Sequence, residues 1–344
     1  MFAADILLHA ANMRTILAAK AACVFTAVLT ISAQFQGVAA RSLSQAPKNG
    51  TALPALAKAM AKAAPKVPAV SNIDVTGLPG PLPHGDFWPS FMYLDGPLIK
   101  SPVVTTLAWG GGKNDESVRN FPVANSFLHD LPKTKYMAWV NKEYSVPKYP
   151  LKGGHFMREL VIYPTYKATI YDKDIQATIK QLVKQKVLPK NTFGNALTMV
   201  FLPPGVSVKK GELLSCIDLC AYTSAFRLNG KYQFYGVIPD QECAGIKGAL
   251  DCQKELSLVD ATTTAISYAY VAAKTNPAND LDGEVSERGW YSFRSGDLGI
   301  PCTGRTDRIT GPTGVTWTVQ QVWSNKDRTC RTEPGRPSLM KGIY

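Results

Sequence analysis

Few side chains in this sequence combine the type and spacing that chemistry requires. Past position 40 there are three histidines, His84, His129 and His155. A zinc-binding helix presents ligands at i and i+4 on one face, and no two of these histidines have metal-ligand spacing. His84 falls in a proline-rich loop, His129 at the end of an expected helix, and His155 after Gly153-Gly154, where a turn is expected. No CxxC pair suggests a cysteine-based zinc site, and no serine sits in a nucleophile-elbow G-x-S-x-G. Gly110-Gly111-Gly112 follows an apolar strand, but neither GK[ST] nor GxGxxG follows it. It reads as a tight strand-to-helix turn, not a phosphate cradle. Glu284, Glu287 and Asp297 could supply the carboxylate pair of a glycoside hydrolase, which needs about 5–9 Å between the groups; solvated surface acids are the simpler account. Trp290-Tyr291 could stack on a sugar if it lies in a loop, whereas the other tryptophans read as core.

The elements that would position such groups centre on the run Val259 to Pro277. Ile266, Ala269, Tyr270 and Ala273 recur at i, i+3, i+4 and i+7, one buried helical face. Asp260 or Thr262 is the expected N-cap, and Pro277 ends the helix. Helices are also expected over Glu116–Leu131, Lys135–Tyr144 and Asp172–Val187. In the last of these Ile175, Ile179, Leu182 and Val183 share a face, with lysines off it. Apolar, β-branched runs predict strands over Val103–Trp109, Val161–Ile170, Leu197–Leu202, Tyr232–Ile238 and Val315–Trp323. Strands and helices intermix, so the fold class is α/β or α+β: a single compact domain over 85–344 with a mixed sheet around the central helix.

Met13 to Lys20 supplies a basic start, Ala21 to Ala33 (AACVFTAVLTISA) an apolar core, and Val38-Ala39-Ala40 small residues for cleavage, so 1–40 reads as an export signal. Initiation at Met13 would make that signal more conventional. Its apolar run falls short of the roughly 20 residues that span a bilayer. Residues 41–84, rich in Ala, Pro and Lys, read as a linker or pro-segment carrying the glycosylation triplet Asn49-Gly50-Thr51. Cys216, Cys220, Cys243, Cys252, Cys302 and Cys330 make an even set, as three disulfides in an exported protein would. Cys302–Cys330 is the expected outer pair, with the other four crosslinked among themselves in an order the sequence leaves open. The net charge of +12 is compatible with acidic polysaccharide as a partner, or simply with solubility. No basic stripe interleaved with aromatics suggests nucleic acid.

An ordered set of segments carries a resemblance. It includes Tyr93-Leu94-Asp95-Gly96-Pro97-Leu98, Val200-Phe201-Leu202-Pro203-Pro204-Gly205, and Cys216 through Cys220-Ala221-Tyr222. Tyr235-Gly236-Val237-Ile238-Pro239-Asp240, Thr275-Asn276-Pro277, Gly289-Trp290-Tyr291 and Val319-Gln320 to Trp323-Ser324-Asn325 continue it. Over roughly residues 90–332 the chain resembles the EXORDIUM / phosphate-induced protein family. The resemblance implies an exported protein of the apoplast or cell wall, associated in plants with growth. Related microbial and fungal proteins carry a zincin-like S-H-E-L-V-E-A-x-T-D-P helix, C-A-Y-H upstream and G-E-I-G-D-x-C downstream. Here the histidines fall on Tyr268 and Thr223, the helical glutamates on Ala269 and Ala272, and the downstream acids on Asp297 and Ile300. One carboxylate survives, and neither Tyr nor Thr is an ordinary zinc ligand. The expectation is a secreted, non-catalytic protein with a degenerate metal-hydrolase-like site at Thr223, Tyr268, Ala269, Ala272 and Asp297. It has no catalytic residue, metal or cofactor, and its partner is a wall polysaccharide or an extracellular protein. The alternatives are a zinc hydrolase with substitute ligands and a wall-polysaccharide binder using Trp290 and Tyr291.

Overall fold

Runs such as VVTTLAW and ALTMVF are apolar and β-branched without alternation, which suits strands covered on both faces. The computed structural model describes residues 90–111, 118–246, 252, 255–279 and 287–334, all within one compact unit, His84–Tyr344. The expected export signal, the linker with Asn49, His84 and Glu284 lie outside the described residues. The two runs form β2 (Val103–Trp109) and β5 (Ala196–Phe201), neighbours in a five-stranded mixed sheet. Its order is β3-β2-β5-β9-β8, with β3 (His155–Ile162), β8 (Tyr222–Leu228) and β9 (Lys231–Ile238). All neighbours are parallel except β8 against β9.

Parallel neighbours need crossovers, and these place helices on both faces. On one side α1 (Phe121–Asp130), α2 (Lys135–Tyr144) and α4 (Leu258–Thr275) meet Val104, Ala108, Leu197, Met199, Phe201, Phe234 and Ile238. On the other, Ile175, Ile179 and Val183 of α3 (Asp172–Lys184) meet Leu107, Trp109, Val200, Tyr235 and Val237. The result is a three-layer α/β fold.

Smaller pieces surround it. The strands β4 (Thr169–Tyr171), β6 (Ser207–Lys210) and β7 (Leu213–Leu214) form a second sheet. Antiparallel pairs join β1 (Met92–Tyr93) to β10 (Trp290–Tyr291), β11 (Thr306–Thr310) to β12 (Thr316–Gln320), and β13 (Val322–Ser324) to β14 (Thr329–Arg331).

Several expectations need correction. The strand expected over Val161–Ile170 is two strands, β3 and β4, with Pro164, which cannot donate to a ladder, between them. His155 opens β3 instead of sitting in a turn. The late strand Val315–Trp323 is interrupted at Gln321. α1 begins at Phe121, so Pro122 sits in its first turn, where its missing N–H costs no helical bond. The cap of α4 is Ser257, not Asp260 or Thr262: Ser257 Oγ accepts from the Asp260 N–H (3.1 Å) and donates to the Asp260 carboxylate (2.7 Å). Hydrogen bonds from Ser257 and Thr318 hold the Asp260 pKa below the usual carboxylate range.

The six cysteines form three disulfides: Cys216–Cys243, Cys220–Cys252 and Cys302–Cys330. The first two pin the connection between β9 and α4. The third, spanning 28 residues, secures the C-terminal hairpins. Closing a loop of that length removes about 3–4 kcal/mol of unfolded-chain entropy in the chain-entropy account. The double variant Cys302→Ala/Cys330→Ala should therefore lose stability of that order, read from the urea midpoint under non-reducing conditions.

Candidate functional site

The α4 helix decides what the expected site can be. Its 18 residues are almost entirely buried, because it lies between the sheet, α1 and β12. Ala269 and Ala272 are enclosed. Tyr268, one turn before Ala272, lies against Gly299, where a Cβ would stand 2.5 Å from Tyr268 Cδ2. A glycine is required there because the ring and the Gln320 amide leave no room for a side chain. Asp297 is buried two residues earlier and accepts from Asn276 Nδ2 at 2.6 Å. Asn276 in turn accepts from the Gly289 N–H at 2.8 Å. Tyr268, Ala272, Asn276 and Asp297 thus follow one side of α4. Thr223 lies on β8, which also packs against α4. It pairs there with Gly236, and its carbonyl accepts from Lys210 Nζ at 3.3 Å. Ile300 is exposed in a short 3-10 turn.

The remaining sequence candidates do not gather here. Glu287 accepts from the Tyr232 hydroxyl and from Arg227 Nη2 (2.5 Å), while Asp297 is held by Asn276. His129 meets Lys133 at 3.3 Å on the α1 side, and His155 begins the edge strand. Among the described residues no group of three His, Cys, Asp or Glu side chains could hold a metal ion. Trp290 is not in a loop, as expected, but in β10. Its indole N–H donates to the Tyr144 carbonyl (2.8 Å), and its ring meets Tyr93 and Tyr144 at 5.9 and 5.2 Å. Tyr291, on the same strand, is half-buried.

Two features escaped the sequence reading. One lies where the strand order reverses, at the carboxyl ends of β2 and β5, the usual ligand crevice of open α/β sheets. There Arg119, just before α1, donates to Asp240, just after β9, through Nε (3.2 Å) and Nη2 (2.6 Å), and to Glu242 through Nη1 (2.6 Å). Burial pushes the Asp240 carboxyl up while Arg119 pulls it down. Burial also opposes the charge on Arg119, but Asp240 and Glu242 outweigh it and raise the guanidinium pKa. With Nε, Nη1 and Nη2 all engaged, Arg119 offers an incoming anion little that is free. The signals were Gly110-Gly111 and Pro239-Asp240 directly after parallel strands.

The other feature is Lys274, fully buried in the last turn of α4. Its Nζ donates to the carbonyls of Lys152 (2.6 Å) and Lys100 (3.2 Å), and among the described residues it forms no ion pair. Burial pushes its pKa down to about 7. An amine near neutrality could be a nucleophile, but this one is sealed inside and serves to brace the segments that enter β2 and β3. Four residues earlier, the Tyr270 hydroxyl is buried with no hydrogen-bond partner, and burial raises its pKa.

No family model, curated protein or solved structure matches this chain.

Lys274 generates a pH prediction. Its folded pKa, about 7, lies below the unfolded value of about 10.4. Between these values the unfolded chain holds the extra proton, so Lys274 makes stability rise with pH across that window. Lys274→Met should remove this contribution. The urea midpoint of the variant relative to the parent should be most favourable below pH 7 and fall steadily toward pH 10. Parallel pH profiles for the two proteins would show that Lys274 does not change its protonation on folding.

Proposed function

We propose that this chain is an exported, disulfide-stabilised protein of the EXORDIUM kind that acts outside the cell or at its wall without catalysing a reaction. The observation that carries this reading is the use made of Asp297. The one carboxylate kept from the zincin-like pattern is buried and tied to Asn276, while the histidine and glutamate positions on α4 are Tyr268 against Gly299 and the enclosed Ala269 and Ala272. A reactive metal site needs an open coordination position and a base; this stretch of α4 supplies packing and a structural acceptor. Three disulfides fit an oxidising compartment. Among the described residues no helix is long and apolar enough to cross a membrane. The family resemblance supplies the extracellular setting.

The experiment is metal analysis of the secreted protein alongside Asp297→Ala. The parent should carry only substoichiometric metal, and a chelator should leave its thermal midpoint unchanged. Asp297→Ala should cost about 1–3 kcal/mol in urea unfolding, because Asn276 Nδ2 loses its buried acceptor. Stoichiometric zinc that vanishes in Asp297→Ala would overturn the non-catalytic reading in favour of a hydrolase with substitute ligands.

A further inference from the structure

Cross-strand alternation separates the two aromatics of β10. Trp290 turns inward and is consumed by Tyr93, Tyr144 and its hydrogen bond. Tyr291 points the other way, opposite Met92, which is 49% exposed. The chain then turns sharply. Ser292 N–H to the Gly296 carbonyl (3.0 Å) and Gly296 N–H to the Ser292 carbonyl (2.7 Å) close the turn. This turn holds Phe293 60% exposed, with its ring 5.6 Å from that of Tyr291 and at 86° to it. The Arg288 guanidinium lies 4.3 Å from the Tyr291 ring centre and 5.8 Å from that of Phe293. Among the described residues Arg288 forms no ion pair.

We propose that Arg288, Tyr291 and Phe293 form a binding site for acidic sugar residues of a uronate polysaccharide. The C–H face of a pyranose stacks on the solvent-facing ring of Phe293, as apolar faces do on aromatic rings. The sugar carboxylate then accepts N–H bonds from Arg288, whose planar fork matches a carboxylate and is already oriented by its stack on Tyr291. The net charge of +12 draws a polyanion toward the surface. A tight turn with one exposed phenylalanine beside the Arg288 guanidinium lacks the broad apolar face and lysine-rich rim of a membrane-surface element. Three side chains also make too small a patch for a stable protein interface of about 800 Å² per partner. This site is separate from α4 and stands whether or not the non-catalytic reading holds.

The test is isothermal titration of the full secreted chain with an oligogalacturonate of defined length. The parent should bind. Phe293→Ala and Arg288→Gln should each weaken binding about tenfold, near 1.4 kcal/mol, and Phe293→Ala should leave the thermal midpoint unchanged because its ring is 60% exposed. Arg288→Lys, which keeps the charge and loses the fork, should fall between. Lys180→Gln on the exposed side of α3 removes the same charge elsewhere and should bind as the parent does. No binding by the parent would overturn the proposal. So would equal losses in Lys180→Gln and Arg288→Gln, which would mean bulk charge alone. So would undiminished binding of a fully methyl-esterified oligomer, which would mean that the carboxylate is not read. Binding to phosphatidylserine vesicles that depends on Phe293, without oligogalacturonate binding, would replace the sugar with a lipid surface.

Discussion

The constraint on which the fold depends is the burial of α4 on nearly every side. A helix enclosed this way must offer small side chains to several neighbours at once and satisfy every polar group it carries. The sequence meets the first demand throughout and the second for most of these groups, the buried Thr264 and Tyr270 hydroxyls being exceptions. Ala261, Ala265, Ala269, Ala272 and Ala273 let the sheet and the C-terminal hairpin approach closely. The hydroxyls then tie the helix to β12: Thr263 Oγ1 donates to the Thr318 carbonyl (2.7 Å), and Ser267 Oγ accepts from the Gln320 N–H (2.9 Å). The Asp260 carboxylate accepts from Thr318 at 2.5 Å. Alanine and serine along α4 are therefore requirements of packing here.

The same constraint governs the C-terminal end of α4. Lys274 reaches the carbonyls before β2 and β3, and Asn276 holds Asp297 and Gly289. At the opposite end two disulfides fix the connection from β9. Both ends are anchored, so the helix has little freedom to shift and open a cavity along the Tyr268–Ala272 side. Catalysis favours groups that are desolvated yet reachable; Lys274, Asn276 and Asp297 are desolvated and already partnered.

Elements with a strong period were legible. β2, β5 and β9 announced themselves by apolar runs, α3 by its stripe and α4 by its buried face. The edge strand β8 was missed although its signal was present: Tyr222–Leu228 runs into Asn229-Gly230, both at positive φ (52° and 72°), the residue pair of a tight hairpin turn. Lys274 was missable for a related reason. It stands four residues after Tyr270, on the buried face, and only its charge suggested solvent. The outer disulfide was legible because Cys302 and Cys330 stand apart from the other four; the pairing of those four was not, since two crossed bridges and two nested ones look alike in sequence. Nor was the Asn276–Asp297 bond, which joins residues 21 apart through tertiary packing alone.

Aromatic residues show where sequence reasoning about binding surfaces tends to mislead. Tryptophan draws attention first because it is large, but its indole N–H demands an acceptor once buried. Here Trp139 finds Glu143, Trp317 finds Asp130, and Trp290 finds the Tyr144 carbonyl. Each of these bonds locks a ring into the interior and removes it from contact with a ligand. Phenylalanine has no such handle, and six of the nine described phenylalanines enter the core through area alone. One that stays outside, on a turn closed by its own backbone, is not explained by packing. Its neighbours are a tyrosine and an arginine that touch each other, so the unexplained ring and a charge with no ion pair among the described residues occupy the same place, and this coincidence moves the search for a ligand from Trp290 to Phe293.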